Sequence, residues 1–391
     1  MGKSTYKRDV FSTFLNQGWR IISGPLVLLC IPYFLSAIEQ GYWYTFISVA
    51  ALSVLADLGF SNIILQFSAH EFAFLSFQDN SLINGDSEHL NKLATFFKFS
   101  IKWLFKIVSI VFPVIIIGGY YFISSRGSSA GSPYLWEIVW IIYVATSAFL
   151  FMNSIILSFF EGCNLVSKVQ RIRFQISAAT SLVMIVGLIF HLKLFALALS
   201  SVIGALVGCL LIYRHFSRVI RQLLQVSKHA FYDWWPEFSS LIWRYAISWG
   251  SGFLVFQLFT PLTFYFYGPV SAGKIGISIA MWTAGFNVAI SWITAVTPKL
   301  NMLISEKKWD QLDKLFKNSF VKSVGTMLLG GLCFFIVEYF VGSKFHFFAR
   351  ILVPKGMMIL FLAWLVQVAV NTMAIYLRAH KREPLVITSC V

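Results

Sequence analysis

The chain has 391 residues, of which 58% are hydrophobic and only 12% are charged, and its formal net charge is +15 at pH 7. Soluble domains usually carry about 25% charged residues, so this composition excludes an ordinary water-soluble protein. The apolar residues form blocks of about twenty, the length that a helix needs to cross about 30 Å of hydrocarbon. These blocks are continuous and do not alternate with polar residues, which excludes a membrane β-barrel and predicts an all-α integral membrane protein.

Ten apolar blocks follow one another along the chain, and each predicts one transmembrane helix. They cover residues 11–37, 41–66, 101–123, 135–160, 170–190, 194–213, 238–266, 270–297, 318–342 and 351–377. The stretch from Phe174 to Tyr213 is too long for one helix, and the segment His191-Leu192-Lys193 predicts a tight turn that divides it. An eleventh helix is expected to start at Pro384.

The basic residues are distributed unevenly between the two sides that these spans define. Of the 31 Lys and Arg residues, 23 are assigned to the side of the N-terminus and six to the opposite side, and Arg20 and Arg244 are assigned to neither because they lie deeper inside spans. Loops that remain in the cytoplasm are rich in Lys and Arg, so this bias predicts a cytoplasmic N-terminus. The basic patches border the spans and suit membrane lipids as partners, and we expect no nucleic acid.

Three short patterns recur in the same order, which predicts two pseudo-symmetric lobes. They pair Leu90-Asn91-Lys92-Leu93 with Leu312-Asp313-Lys314-Leu315, Asn153-Ser154 with Asn371-Thr372, and Tyr33-Phe34 … Gly41 with Tyr265-Phe266 … Gly273. We expect an N-lobe of six helices over residues 1–213, a cytoplasmic linker over 214–236 and a C-lobe over 237–391. That C-lobe holds four helices and the start of a fifth, two fewer than the repeat requires. Parallel repeats with a cavity between them are typical of alternating-access transporters.

The sequence gives no support for a metal site, a cofactor or an enzymatic function. The five cysteines are scattered and show no spacing typical of a metal site, so no metal or cofactor is expected. No nucleotide-binding loop is present, so transport would not be powered by a site in this chain. We expect a transporter and not an enzyme, with no catalytic residues. The loops opposite the N-terminus are short, which argues against a membrane polysaccharide polymerase, because such an enzyme needs room for its acceptor.

Four segments of the first seventy residues carry a resemblance to a known family: Phe14-Leu15-Asn16-Gln17-Gly18, Gly24-Pro25, Gln40-Gly41-Tyr42-Trp43 and Ala56-Asp57-Leu58-Gly59-Phe60-Ser61-Asn62. They resemble the first two helices of Wzx-type polysaccharide (O-antigen) flippases. These flippases belong to the multidrug/oligosaccharidyl-lipid/polysaccharide exporter superfamily. The resemblance implies a MATE-like architecture in a bacterial inner membrane. It also implies an undecaprenyl-diphosphate-linked oligosaccharide as substrate, for O-antigen or capsule assembly beside a polymerase and chain-length proteins.

Two arginines inside the spans are candidates for binding a diphosphate, because a charged side chain at mid-membrane usually faces a cavity. Arg20 lies in span 1, about ten residues from its predicted cytoplasmic end, and Arg244 begins span 7. The alternative for each is an arginine that extends to the lipid headgroups. Such arginines would suit an anionic lipid better than the cationic drugs of a multidrug extruder, which is the alternative function within this fold.

Acidic, amide and aromatic residues supply the other candidates. Asp57 and Glu338 are candidates for ion coupling. The alternative for Asp57 is a structural contact with a nearby amide or helix N-terminus. Glu338 is the weaker candidate, because it lies close to the membrane surface. Amides and a tryptophan in the spans are candidates for sugar contact, namely Asn16, Asn153, Gln367, Asn371 and Trp282. The amides have the alternative of hydrogen bonds between helices, and tryptophans in general mark the membrane interface.

Overall fold

The computed structural model describes residues 3–53, 57, 59–78, 82–127, 133–228, 230–239, 257–305, 307–342 and 344–379. The helices are α1 (Lys3–Phe34), α2 (Ala37–Ala50), α3 (Phe60–Phe72), α4 (Ser87–Gly127), α5 (Trp136–Gly162), α6 (Val166–Ile189), α7 (Phe195–Val226), α8 (Phe259–Ser305), α9 (Trp309–Val341), α10 (His346–Ala349) and α11 (Pro354–Ala379). One antiparallel hairpin, β1 (Leu75–Gln78) and β2 (Leu82–Gly85), lies between α3 and α4.

Eight of the described helices are long and apolar enough to cross a membrane. They are Phe11–Phe34, Ser87–Ser125, Trp136–Gly162, Val166–Ile189, Phe195–Val226, Phe259–Thr297, Trp309–Val341 and Pro354–Leu377. Each contains or overlaps a predicted span, which confirms the predicted all-α membrane fold. The second predicted span differs, because the helix is interrupted between α2 and α3 by a 3-10 turn over Ala51–Ser53. Most of the seventh span, and the expected start of an eleventh at Pro384, lie outside the described residues.

The predicted turn between spans 5 and 6 is confirmed. Helix α6 ends at Ile189 and α7 begins at Phe195. His191 and Lys193 adopt positive φ angles of 57° and 53°, which reverse the chain within a few residues. The amide of Leu192 donates to the carbonyl of Gly187 at 2.9 Å, so a hydrogen bond replaces the helical bond lost at the end of α6.

Helix starts and helix breaks recur in the structure at the repeated sequence motifs. Helices α4 and α9 begin at Ser87 and Trp309, each three residues before its Leu-x-Lys-Leu motif. Helix α1 ends at Phe34, and α8 is broken at Gly268, where φ is 82°. The break follows Tyr265-Phe266, as the end of α1 follows Tyr33-Phe34. Both junctions therefore fall where the repeat predicts them.

The chain divides into two compact units. The first contains Met1–Ser23 and Phe46–Leu258, and the second contains Gly24–Thr45 and Phe259–Val391. The division into lobes at residues 213 and 237 stays a prediction. Part of the predicted linker is helical, because α7 continues to Val226.

The first unit has an aromatic core at the junction of α3, α4, α5 and α7. Phe160 and Phe216 stack at 4.0 Å between ring centroids, and both are fully buried. The residues after α7 return to this core: Trp234 and Phe238 are 2% and 1% exposed, and the indole N–H of Trp234 donates to Thr95 at 3.2 Å. The second half of the predicted linker is therefore anchored to the first unit.

Candidate transport sites

A continuous chain of polar side chains links α1, α6 and α5 inside the first unit. The amide nitrogen of Asn16 donates to Oε1 of Gln170 at 2.9 Å, and Nε2 of Gln170 donates to Oε1 of Glu161 at 2.9 Å. The other carboxylate oxygen of Glu161 lies 2.7 Å from Nη1 of Arg173. Asn16 and Gln170 are 5% and 8% exposed, so this chain runs through apolar surroundings.

The spacing of polar residues on two helices explains how the chain of bonds forms. Ser12, Asn16 and Trp19 lie on one face of α1, because they are separated by three or four residues. They bond in the same order to Ser167, Gln170 and Ser181 of α6, at 3.0, 2.9 and 3.0 Å. Since the residue numbers rise together, α1 and α6 run in the same direction, as predicted for spans 1 and 5.

The ion pair of Glu161 and Arg173 neutralises a carboxylate at an unfavourable position. Glu161 lies in the last turn of α5, where the partial negative charge of the helix end repels it. Arg173 compensates this charge and also donates to the hydroxyl of Ser158 at 3.3 Å. Arg173 is one of the 23 basic residues assigned to the side of the N-terminus, and Glu161 and Gln170 were not predicted as site residues. The separation of three residues between Gln170 and Arg173 was the available signal.

Arg20 is exposed on α1, one helical turn after the buried Asn16. Its guanidinium makes no hydrogen bond or ion pair with any residue that the structure describes. Among the described residues, this charge is therefore left available to lipid, water or substrate. Arg244, the other predicted diphosphate ligand, lies outside the described residues.

The two predicted coupling carboxylates lie in different units. Oδ1 of Asp57 accepts hydrogen bonds from the N–H and the hydroxyl of Ser61, at 3.0 and 2.6 Å, in the first turn of α3. Asp57 therefore makes the kind of structural contact that the sequence left open as its alternative role. Ion coupling by Asp57 stays a prediction. Glu338, near the end of α9, lines a cavity of about 620 Å³ together with Lys344 and His346.

The predicted sugar-binding residues do not form one cluster. Asn153 is 4% exposed and donates to the carbonyl of Ala205 at 3.2 Å, against Gly208 of α7. It therefore makes the hydrogen bond between helices that the sequence left open as an alternative. Gln367 and Asn371 are half-buried in α11. Asn16 belongs to the polar chain described above. Sugar contact by these amides stays a prediction.

Trp282 lies in an aromatic cluster of the second unit. It is 4% exposed, and its ring lies 5.4 Å from that of Phe334 and 5.1 Å from that of Phe361. The adjacent Gly331 leaves no room for a side chain beside Phe361. Both ring contacts are internal, so stacking of Trp282 on a sugar stays a prediction.

A second polar cluster, which the sequence analysis overlooked, joins distant segments of the second unit. Nε2 of Gln40 donates to the carbonyl of Gly273 at 2.9 Å and to that of Arg350 at 3.1 Å. The guanidinium of Arg350 donates to the carbonyl of Leu35 at the end of α1, at 3.2 Å. Partial burial lowers the pKa of Arg350, and the negative charge of Glu39 opposes that shift. Residues 35–40, 273 and 350 are thus connected, although up to 315 positions separate them.

Comparison with known proteins identifies the fold. No protein-family model and no curated protein matches the chain. A solved structure described as the inward-facing conformation of a multidrug resistance MATE family transporter of the MOP superfamily is similar to it. The TM-score is 0.52 at 13% sequence identity, over 93% of this chain and 84% of that one. The helices of this chain are therefore arranged as in a MATE transporter, which confirms the predicted architecture.

Proposed function

We propose that this chain is a flippase that carries a polyprenyl-diphosphate-linked oligosaccharide from the cytoplasmic to the periplasmic leaflet by alternating access. It would act in a bacterial inner membrane, with its N-terminus in the cytoplasm. Arg20 is the observation that carries the proposal, because it is an exposed guanidinium within an apolar span. Guanidinium groups bind phosphate oxygens through two parallel hydrogen bonds, so this side chain suits a diphosphate.

The carboxylate in the polar chain, Glu161, supports the same lipid-linked substrate. Glu161 is neutralised by Arg173, so the chain that begins at Asn16 presents no free negative charge to a cation. A cationic drug would gain little there, whereas an anionic headgroup near Arg20 meets no repulsion from Glu161. The MATE fold itself is compatible with either substrate.

The proposal is tested first by removing the protein. Deletion of the gene should cause lipid-diphosphate oligosaccharide to accumulate on the cytoplasmic leaflet, as measured by lipid extraction and by loss of surface polysaccharide. Normal surface polysaccharide in the deletion strain, with no second flippase to substitute, would contradict the assignment.

Purified protein in vesicles then tests Arg20. The Arg20→Ala variant should lose transport of the lipid-linked oligosaccharide, and Arg20→Lys should retain part of it, because lysine keeps the charge without the paired donors. Arg218→Ala, which removes an exposed arginine near the end of α7, is the matched control and should transport normally. Full activity of Arg20→Ala would remove Arg20 from the mechanism.

The alternative function is a multidrug or cation extruder of the same fold. The observation that favours it is Glu338, a carboxylate that lines an open groove near the end of α9 together with Lys344 and His346. The same vesicles distinguish the two functions when they are loaded with a fluorescent organic cation. Export of the cation that depends on Glu338, without transport of the oligosaccharide, would establish the extruder.

A further inference from the structure

The middle of α2, residues 40–46, is buried on every side. Each residue from Gln40 to Phe46 is less than 9% exposed, although a helix on the surface of a bundle normally turns one face outward. Gln40, Tyr44 and Thr45 are among the polar residues of this stretch, and they are 1%, 6% and 0% exposed. A fully buried helix of this kind would ordinarily be apolar.

One oxygen of each of these three side chains has no hydrogen-bond partner among the described residues. They are Oε1 of Gln40, the hydroxyl of Tyr44 and Oγ1 of Thr45. Buried polar groups are paired in most proteins, because an unpaired one loses its bonds to water without replacement. Three within six residues of one helix indicate that this helix is polar for a reason other than the packing seen here.

The part of α8 after Gly268 packs against the face of α2 that carries Gly41, Tyr44 and Thr45, and the contact depends on glycine. A side chain at Gly41 would overlap the carbonyl of Pro269, and one at Gly276 would overlap the side chain of Tyr44. Gly41 and Gly273 occupy equivalent positions in the sequence repeat, and they also touch each other. A hydrogen bond from Nε2 of Gln40 to the carbonyl of Gly273 also joins the two helices. Where glycines meet, no interlocked side chains have to part, so α2 and α8 can separate there.

We propose that Gln40, Tyr44 and Thr45 form a sugar-contacting surface that is uncovered when α2 and α8 separate during the transport cycle. This inference rests on the proposed function and assigns a further part of the same substrate to these residues. Amide and hydroxyl oxygens match the hydroxyls of a carbohydrate, and the ring of Tyr44 offers a face for stacking. None of the three is charged, so the surface suits the neutral sugars and not the diphosphate.

The test uses the double variant Tyr44→Phe/Thr45→Val in the full-length protein, which removes both unpaired hydroxyls and changes little else. We expect its melting temperature to rise, because two unpaired buried groups are gone. We also expect binding and transport of the lipid-linked oligosaccharide to fall about tenfold, the loss that about 1.4 kcal/mol of sugar contacts implies.

Ser323→Ala is the matched control, because Ser323 is a buried α9 residue whose hydroxyl also lacks a partner in the described structure. It should raise the melting temperature and leave transport unchanged.

The outcomes separate this inference from the proposed function. Wild-type protein that neither binds nor moves the lipid-linked oligosaccharide would contradict the proposed function. If wild-type protein moves it and the double variant does so equally well, the sugar-contacting surface is refuted while the flippase stands. A lower melting temperature in the double variant would also refute the surface, since it would show that the hydroxyls stabilise the packing seen here.

Discussion

Gly119 of α4 lies directly against the indole ring of Trp140 in α5. A side chain at Gly119 would overlap that ring, whereas one at the preceding Gly118 would meet nothing within 4 Å. Trp140 is fully buried, and its indole N–H donates to the carbonyl of Ile116 at 3.0 Å. The absence of a side chain at Gly119 thus allows a tryptophan to bond to the backbone of the neighbouring helix.

Gly119→Ala should therefore destabilise the protein by about 1–3 kcal/mol, the usual range for overfilling a packed core. Gly118→Ala is the control in the same helix, and it should be neutral or stabilising, because alanine favours helix more than glycine does. Thermal unfolding of the purified protein in detergent measures both. Equal melting temperatures for the two variants would show that α4 and α5 do not pack as closely as described.

The ion pair between Glu161 and Arg173 predicts non-additive substitutions. Glu161→Gln alone leaves a guanidinium without its carboxylate, and Arg173→Gln alone leaves the carboxylate at a helix end. Each should cost about 1–3 kcal/mol, less than a fully buried pair because Arg173 is 29% exposed. The double variant should cost less than the sum of the two. A double-mutant cycle of thermal stabilities measures this coupling, and strictly additive losses would contradict the pair.

The part of the fold that the sequence predicted depends on local signals. The turn at residues 191–193 could be predicted because polar residues interrupt an apolar block, and the junctions near Phe34 and Gly268 because a motif recurs there. The break near residue 51 could not, since residues 41–66 look like one continuous apolar span. Hydropathy alone does not distinguish a 3-10 turn from an α-helix, and none of the three residues of this turn is buried.

The candidate sites were predicted less completely, for a related reason. Asn16 could be identified because an amide within an apolar span is unusual, but its partner Gln170 is 154 positions away. Gln40 and Arg350 are separated by 310 positions, and nothing in either local sequence indicates the other. Unpaired oxygens such as that of Thr45 are properties of the packed structure alone. Composition shows which residues are unusual, and the three-dimensional structure shows what they contact.

One side chain of α7 hydrogen-bonds to the backbone of the hairpin between α3 and α4. Gln222 of α7 accepts from the N–H of Ile83 at 2.9 Å and donates to its carbonyl at 2.7 Å, as a neighbouring strand would. Gln222→Leu should release β2 from α7 and speed hydrogen exchange at Ile83 about tenfold or more, because both backbone groups lose their partner. Gln225→Leu, at an exposed position one turn further along, is the control. Unchanged exchange in Gln222→Leu would show that the hairpin is held by other contacts.

The contact between α2 and α8 predicts that one methyl group at Gly41 changes the accessibility of Thr45. Gly41→Ala places that methyl group against the carbonyl of Pro269, and backbone atoms cannot move aside as a flexible side chain can. The two helices must therefore separate, which exposes the buried face of α2. Gly24→Ala is the control, since a side chain at Gly24 would meet nothing within 4 Å.

Accessibility is measured with Thr45→Cys in a protein whose five native cysteines are replaced by alanine. Wild-type Thr45 is fully buried, so a water-soluble maleimide should label the introduced thiol slowly. Labelling should be faster by about tenfold or more with Gly41→Ala and unchanged with Gly24→Ala, because only the first substitution disturbs the glycine contact. If Gly41→Ala labels as slowly as its control, α2 and α8 tolerate the methyl group without separating. Fast labelling without either substitution would instead show that the two helices already separate in the resting protein.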